Sequence, residues 1–223
     1  MNRKRNLDII YAVNKKKEIT KNEETESLTL DSNLDLSLSK KDTSKKIERD
    51  NNHIYFYSEV DRNSIYELIV LIKEAEEENY ITSFKLMIDP IPIYLHISSF
   101  GGSVYSALNA IDFIKSCKVP VYTIIEGATA SAGTLISVVG EKRYIRQNAY
   151  MLIHQLSSGF WGKMNEMEDE FKNLQELTLK IKDIYKEYTT MSKKEINELL
   201  IHDLWLNSEK SIKNGLVDEI WNR

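Results

Sequence analysis

From His53 onward, short apolar runs alternate with longer segments of helical periodicity, and few architectures accommodate that alternation. Ile54-Tyr-Phe-Tyr, Ile91-Pro-Ile-Tyr-Leu-His-Ile-Ser, Val119 to Glu126 and Ala149-Tyr-Met-Leu-Ile-His-Gln each have the length and the β-branched or aromatic content of a strand. Between them lie amphipathic stretches: Asn63 to Asn79, with Ile65, Leu68, Ile69, Ile72 and Ala75 on one face, and Val104 to Cys117. Strands joined by crossover helices predict an α/β fold around a parallel sheet with right-handed connections. Asp89-Pro-Ile-Pro, ahead of the second strand, reads as a loop.

The segment before residue 53 has a different composition. Lys, Glu, Ser, Asn and Thr dominate it, with no aromatic between Tyr11 and Tyr55, so residues 1–52 read as a polar tail, disordered over roughly 14–52. Within it Leu28, Leu30, Leu34, Leu36 and Leu38 alternate with polar residues, a pattern that suits docking on a sheet edge. The domain is then expected over 53–223.

The stretch from Lys163 to Thr190 predicts one long helix. Met164, Met167, Phe171, Leu174, Ile181, Tyr185 and Tyr188 form a seam interrupted only by Thr178, and Leu177 and Ile184 widen it beyond what one neighbour in a small domain usually covers. A partner chain is one expectation for that face, and intramolecular packing is the other. Ser192-Lys-Lys-Glu195 reads as a capping box opening a short helix, and Ser208 to Asn214, with Gly215 beyond, as another.

Charge and cysteine content narrow the function classes. A net charge of −4 with no concentrated basic face excludes a nucleic-acid role. The single cysteine, Cys117, allows no internal disulfide, which favours a reducing compartment, and its position reads as a packed helix end. No apolar run reaches the roughly 20 residues of a membrane span, the N-terminus lacks a signal core, and the acidic residues of the tail argue against a transit peptide. The cytoplasm is the expected location, with a plastid or other organelle stroma as the alternative.

The chemistry-bearing stretch is Val119-Pro-Val-Tyr-Thr-Ile-Ile-Glu-Gly-Ala-Thr-Ala-Ser131-Ala-Gly-Thr-Leu-Ile. An apolar strand ending at Gly127, a turn of small residues and an apolar helix through Val139 to Gly140 set one hydroxyl at a helix N-terminus. The N–H groups after Ser131 lack intrahelical partners there and point at anything negative. A serine at neutral pH needs a base, and usually a carboxylate to orient that base. His154, at the C-terminal end of the fourth strand, is the best candidate base, because open α/β sheets deliver functional side chains there. His96 sits mid-strand, as a sheet histidine would, and His53 precedes the first strand. His202 and Asp203 are adjacent and their side chains diverge, leaving Asp203 to orient His154. Gly101-Gly102 follows a strand and opens a helix without the lysine or third glycine of a phosphate cradle. The pair lets a backbone N–H and a substrate strand approach closely, supplying a second oxyanion donor.

Taken in order, Gly101-Gly102, Gly127-Ala-Thr-Ala-Ser131-Ala-Gly133, Leu152-Ile-His154-Gln155, Asp203 and Gly215-Leu-Val-Asp218 resemble the proteolytic subunits of Clp proteases, the ClpP family, across residues 53–221. The resemblance implies a crotonase-like α/β fold of repeated βαβ units with a long protruding handle helix. It implies Ser131 as nucleophile, His154 as base, Asp203 as orienting acid, and the N–H groups of Gly102 and Ala132 as the oxyanion hole. The peptide would run along Gly101, Gly102, Ser103, Val104 and Gln155. It further implies a homo-oligomer of stacked heptameric rings whose serines face an enclosed chamber. An AAA+ unfoldase would feed that chamber and consume ATP, while this chain binds no cofactor or metal. Three positions depart from the pattern: Phe100 stands in place of a proline before the glycine pair, Ala132 in place of a methionine, and Leu156 in place of a proline. The alternatives are a ring scaffold that no longer hydrolyses, or an acyl-CoA hydratase or lyase, since the crotonase-like fold hosts those too.

Overall fold

The computed structural model describes residues 46–222, in which an eight-stranded sheet is accompanied by six helices. Strand β1 (Lys46–Asp50) pairs antiparallel with β2 (His53–Tyr57) through a turn in which Asn51 takes φ +55°. Parallel pairing then runs from β2 to β3 (Ile93–Ser99), β4 (Val121–Ala130) and β5 (Lys142–Ile145), and on to β8 (Glu219–Ile220). Two strands leave that row. β6 (Tyr150–Leu152) pairs in parallel with the far end of β4, and β7 (Trp205–Asn207) pairs antiparallel with β6. The mostly parallel α/β reading therefore holds.

Period-two alternation decides the faces. Along β3, Ile93, Leu95, Ile97 and Ser99 are buried on the side that carries the hydrophobic core, while Tyr94 and Ser98 on the other side are half-buried. The core side is covered by α1 (Arg62–Leu86), α2 (Val104–Ser116) and α3 (Ala132–Val138), which contribute Ile65, Leu68, Ile72, Ala107, Ile111, Leu135 and Ile136. Each such leucine or isoleucine side chain withdrawn from water contributes about 1.5–3 kcal/mol before conformational entropy is subtracted. The remaining helices are α4 (Met164–Tyr188), α5 (Lys193–Ile201) and α6 (Ser208–Lys213). The capping box at Ser192 and Glu195 is present, with reciprocal side-chain-to-backbone bonds.

Several boundaries differ from the sequence reading. Ordered structure begins by Lys46, because Ile47 and its neighbours form β1 where a tail to residue 52 was expected; the Leu28 to Leu38 pattern lies outside the described residues. Helix α1 runs seven residues past Asn79. Its inward face changes from apolar to polar there: Asn79 Nδ2 donates to the carbonyl of Ile91 (3.2 Å), Ser83 Oγ donates to the carbonyl of Asn79 (2.7 Å) and accepts from the Ile91 N–H (2.9 Å). The face stays buried, but hydropathy no longer marks it. β5 was not anticipated, because Lys142-Arg-Tyr-Ile is short and half charged.

Strand β4 does not end at Gly127. That residue takes φ +58° and bends the strand, which continues to Ala130. Ahead of the bend, Tyr122 to Ile125 pair with β5; beyond it, Ala128 to Ala130 pair with β6, and the register with β3 jumps from Ile97↔Ile125 to Ser99↔Thr129. The bulge aims the end of β4 away from the row, and α3 starts from that end. Among the described residues no helix is long and apolar enough to cross a membrane.

Candidate active site

Ser131 stands between β4 and α3 with φ +54° and ψ −126°, a region that residues bearing a Cβ rarely enter. Its side chain does not cap α3, so the hydroxyl is not committed to the helix. The backbone is held on both sides. The Ser131 N–H donates to the carbonyl of Leu152 (2.9 Å), and the Ser131 carbonyl accepts from Thr134 twice, from the N–H (3.0 Å) and from Oγ1 (2.6 Å).

The turn between β3 and α2 packs directly on this junction. Gly101 takes φ +94° and Gly102 φ +141°, and a Cβ at Gly101 would lie 2.6 Å from Ser131 Cβ and 2.8 Å from the carbonyl oxygen of Ala130. A Cβ at Gly102 would lie 2.4 Å from the carbonyl oxygen of Val60. The pair is thus required by space as well as by torsion. Val60 clamps the turn, donating its N–H to the Gly101 carbonyl (2.8 Å) and accepting from the Ser103 N–H (2.7 Å).

A cavity of about 50 Å³ opens on the junction, lined by Gly102, Val104, Ser131, Ala132, His154, Gln155, Leu156 and Tyr185 among others. Ser131, His154 and the two expected oxyanion residues therefore share one wall system, with Val104 and Gln155 beside them. Gly101 lies beneath, against Ser131, and Ser103 is spent on capping α2, its hydroxyl accepting from the Ser106 N–H (3.2 Å). His154 is half-buried, two residues past the end of β6 rather than on the strand itself. Among the described residues no hydrogen bond joins it to Ser131, and no hydrogen bond or ion pair joins it to Asp203. Asp203 is exposed, between α5 and β7, and does not line the cavity. The pairing of β6 with β7 ends at Leu152 opposite Trp205, so the segments carrying His154 and Asp203 leave that ladder at the same end. The Gln155 N–H, bonded to the carbonyl of Leu200 (2.8 Å), keeps the two segments adjacent beyond the ladder. Phe100 and Leu156, which depart from the family pattern, sit at this end too: Phe100 is exposed in an edge-to-face contact with Trp205 (6.3 Å), and Leu156 lines the cavity.

His96, read as a sheet histidine, and His53, read as preceding the first strand but in fact its first residue, belong to a polar network on the face of the sheet opposite the core. His96 Nδ1 lies 3.0 Å from Glu126 Oε1, and His96 Nε2 lies 2.9 Å from His53 Nδ1. Glu126 also accepts from Tyr57 and from Arg146 Nε (3.0 Å). The hydrogen bond from His96, with those from Tyr57 and Arg146, holds the Glu126 carboxyl down at about 2 against the opposing effect of burial. Burial foremost, then the neighbouring His96, lowers His53. Hydropathy gave no sign of Glu126, because it sits inside an otherwise apolar strand; only its partners from β2, β3 and the segment after β5 reveal it. Thr134 and Tyr185 were likewise read as helix residues alone, although the Ser-x-x-Thr spacing at a helix start was visible.

A family model described as Clp protease matches residues 40–223. The chain is 36% identical over 131 residues to ATP-dependent Clp protease proteolytic subunit 2 of Treponema denticola, a match covering 58% of this chain and 66% of that protein. It is 29% identical over 153 residues to the ATP-dependent Clp protease proteolytic subunit of Deinococcus radiodurans (66% and 75% covered) and 34% identical over 132 residues to that of Streptococcus mutans (57% and 67% covered). The matched stretch spans roughly two thirds to three quarters of these relatives' lengths. With a strained serine and a histidine on one cavity and a family match across most of its length, the chain belongs to the Clp protease family.

Proposed function

We propose that this chain is a serine endopeptidase subunit that hydrolyses peptide bonds of unfolded proteins, with Ser131 as nucleophile, His154 as general base and Asp203 as the carboxylate that orients it. The observation that carries the reading is Ser131 at φ +54° on the same cavity as His154, Gly102 and Ala132. His154 takes the Ser131 proton as Oγ attacks the peptide carbonyl carbon; the carbonyl electron pair moves onto oxygen, facing the N–H groups of Gly102 and Ala132. His154 then returns the proton to the departing amine, and water, deprotonated by the same imidazole, releases the acyl group from Ser131. The oxyanion donors are backbone groups, so Ala132 in place of methionine leaves that donor intact. Hydrogen bonds of this kind are often open before substrate binds and tighten in the complex, which suits the separation of Ser131, His154 and Asp203.

The family supports an assembly of stacked rings enclosing the serines, joined through α4 and fed by an AAA+ unfoldase that consumes the ATP. The hydrolysis itself asks for no cofactor in this chain. The half of α4 that leaves Met164, Met167 and Phe171 in solvent supports the ring contact.

Ser131→Ala should reduce cleavage of a short fluorogenic peptide by at least about 10³-fold while leaving the oligomer intact on native mass measurement. Fluorophosphonate should label the parent protein at Ser131 and leave the variant unlabelled. Unlabelled parent protein would favour the non-hydrolysing scaffold, and full cleavage by the variant would refute the nucleophile.

A further inference from the structure

Ser131 keeps a backbone conformation that persists only where its surroundings over-determine it. Its ψ angle is set by where its carbonyl points, and that carbonyl is held by Thr134 through both the N–H and Oγ1. A threonine hydroxyl has one proton. Because a carbonyl can only accept, Thr134 Oγ1 must spend that proton on Ser131. The Tyr185 hydroxyl lies 2.7 Å from the same Oγ1, so the phenol is the donor there and the direction of the whole chain is fixed: Tyr185 O–H to Thr134 Oγ1, Thr134 O–H to the Ser131 carbonyl. Tyr185 is 2% exposed and belongs to α4, 51 residues from Thr134 in sequence, and Thr134 is fully buried. Consecutive donors reinforce one another in such buried surroundings.

We propose that Tyr185 is a positioning residue for Ser131, acting through Thr134 to hold the carbonyl, and hence the Oγ, of the nucleophile in its reactive orientation. It touches no reacting atom by this route; its effect is on the fraction of chains with Ser131 correctly set. The inference rests on the reading of Ser131 as nucleophile, but the hydrogen-bond chain itself does not.

Tyr185→Phe keeps the ring and its packing and removes only the donor. In the assembled protein it should lower kcat for peptide cleavage roughly tenfold with KM changed less than about twofold, the signature of a lost transition-state interaction. The rate of fluorophosphonate labelling at Ser131 should fall by the same factor. Thr134→Val, which breaks both links, should fall at least as far; Thr134→Ser, which restores the hydroxyl, should recover most of the rate. In the double variant Tyr185→Phe/Thr134→Val the loss should match that of Thr134→Val alone. Amide hydrogen exchange supplies a readout independent of activity: the Thr134 N–H, bonded to the Ser131 carbonyl, should exchange faster in Tyr185→Phe than in the parent protein. Parent-like kcat, labelling and exchange in a folded Tyr185→Phe protein would overturn the proposal. Faster exchange in the variant of a parent protein that neither cleaves nor labels would uphold the positioning and sink the peptidase reading instead.

Discussion

The two halves of α4 have the same apolar periodicity and opposite fates. In the C-terminal half Leu177, Ile181, Ile184 and Tyr185 are buried against the rest of the domain. In the N-terminal half the seam continues, yet Met164 is 71% and Phe171 61% exposed, and Trp161 just ahead of the helix is 96% exposed. A periodic stripe therefore states that a face is to be covered and says nothing about by what. The buried half is coupled to the junction carrying Ser131 through Tyr185, whereas the exposed half has its large side chains free for a second chain.

The strongest test of this contrast is to truncate matching positions. Ile181→Ala, in the buried half, should destabilise the fold by about 2–4 kcal/mol, seen as a lower midpoint in chemical denaturation. An effect under about 0.5 kcal/mol would erase the difference between the halves. Acid offers a test that touches the sheet and neither half of the helix. Glu126 is held at about 2 in the fold against an ordinary 4.5, so its contribution is complete above about pH 4.5 and is lost as pH falls towards 2; the lowered His53 works in the same direction, since the unfolded chain takes up its proton first. Stability should drop by roughly 1 kcal/mol over that acid range beyond the drop in Glu126→Gln, after allowance for solvent screening. A parallel acid limb in the Gln variant would show that the network does not support the sheet.

Smaller effects belong to the exposed half. Glu166 accepts from the Lys163 N–H (2.9 Å) and sits in the first turn of α4, so Glu166→Ala should cost about 0.5–1 kcal/mol of local helix stability, read as faster amide exchange in the first turn. Phe171→Ser should change the stability of the isolated fold least, within about 0.5 kcal/mol, while lowering the native mass of the assembly. An unchanged mass would remove the case for α4 as the meeting surface.

Where sequence reading succeeded, one periodicity and one burial coincided: Ile65, Leu68, Ile72 and Ala75 named the inner face of α1, and Ile93 to Ile97 the central strand. It stopped short where the buried face became polar, as at Asn79 and Ser83, and where a glycine inside a strand passed for its end, as at Gly127. At the site, the residue types at Ser131, His154 and the Gly101-Gly102 pair could be picked out by their positions at element ends. Asp203 was chosen by elimination and resemblance, and its exposed side chain lies outside the cavity, at the same end of the β6–β7 ladder as His154.

The alternation of the central strands with helices, the apolar faces and the serine among small residues were determined by local chemistry, because torsional preference and hydropathy act over a few residues and are written there. The tertiary structure alone decided which half of α4 is covered, which side chains meet Glu126, and that Tyr185 reaches Thr134 beneath Ser131. Those depend on contacts between segments tens of residues apart, where direction and distance, absent from any local pattern, decide whether a polar group finds its partner.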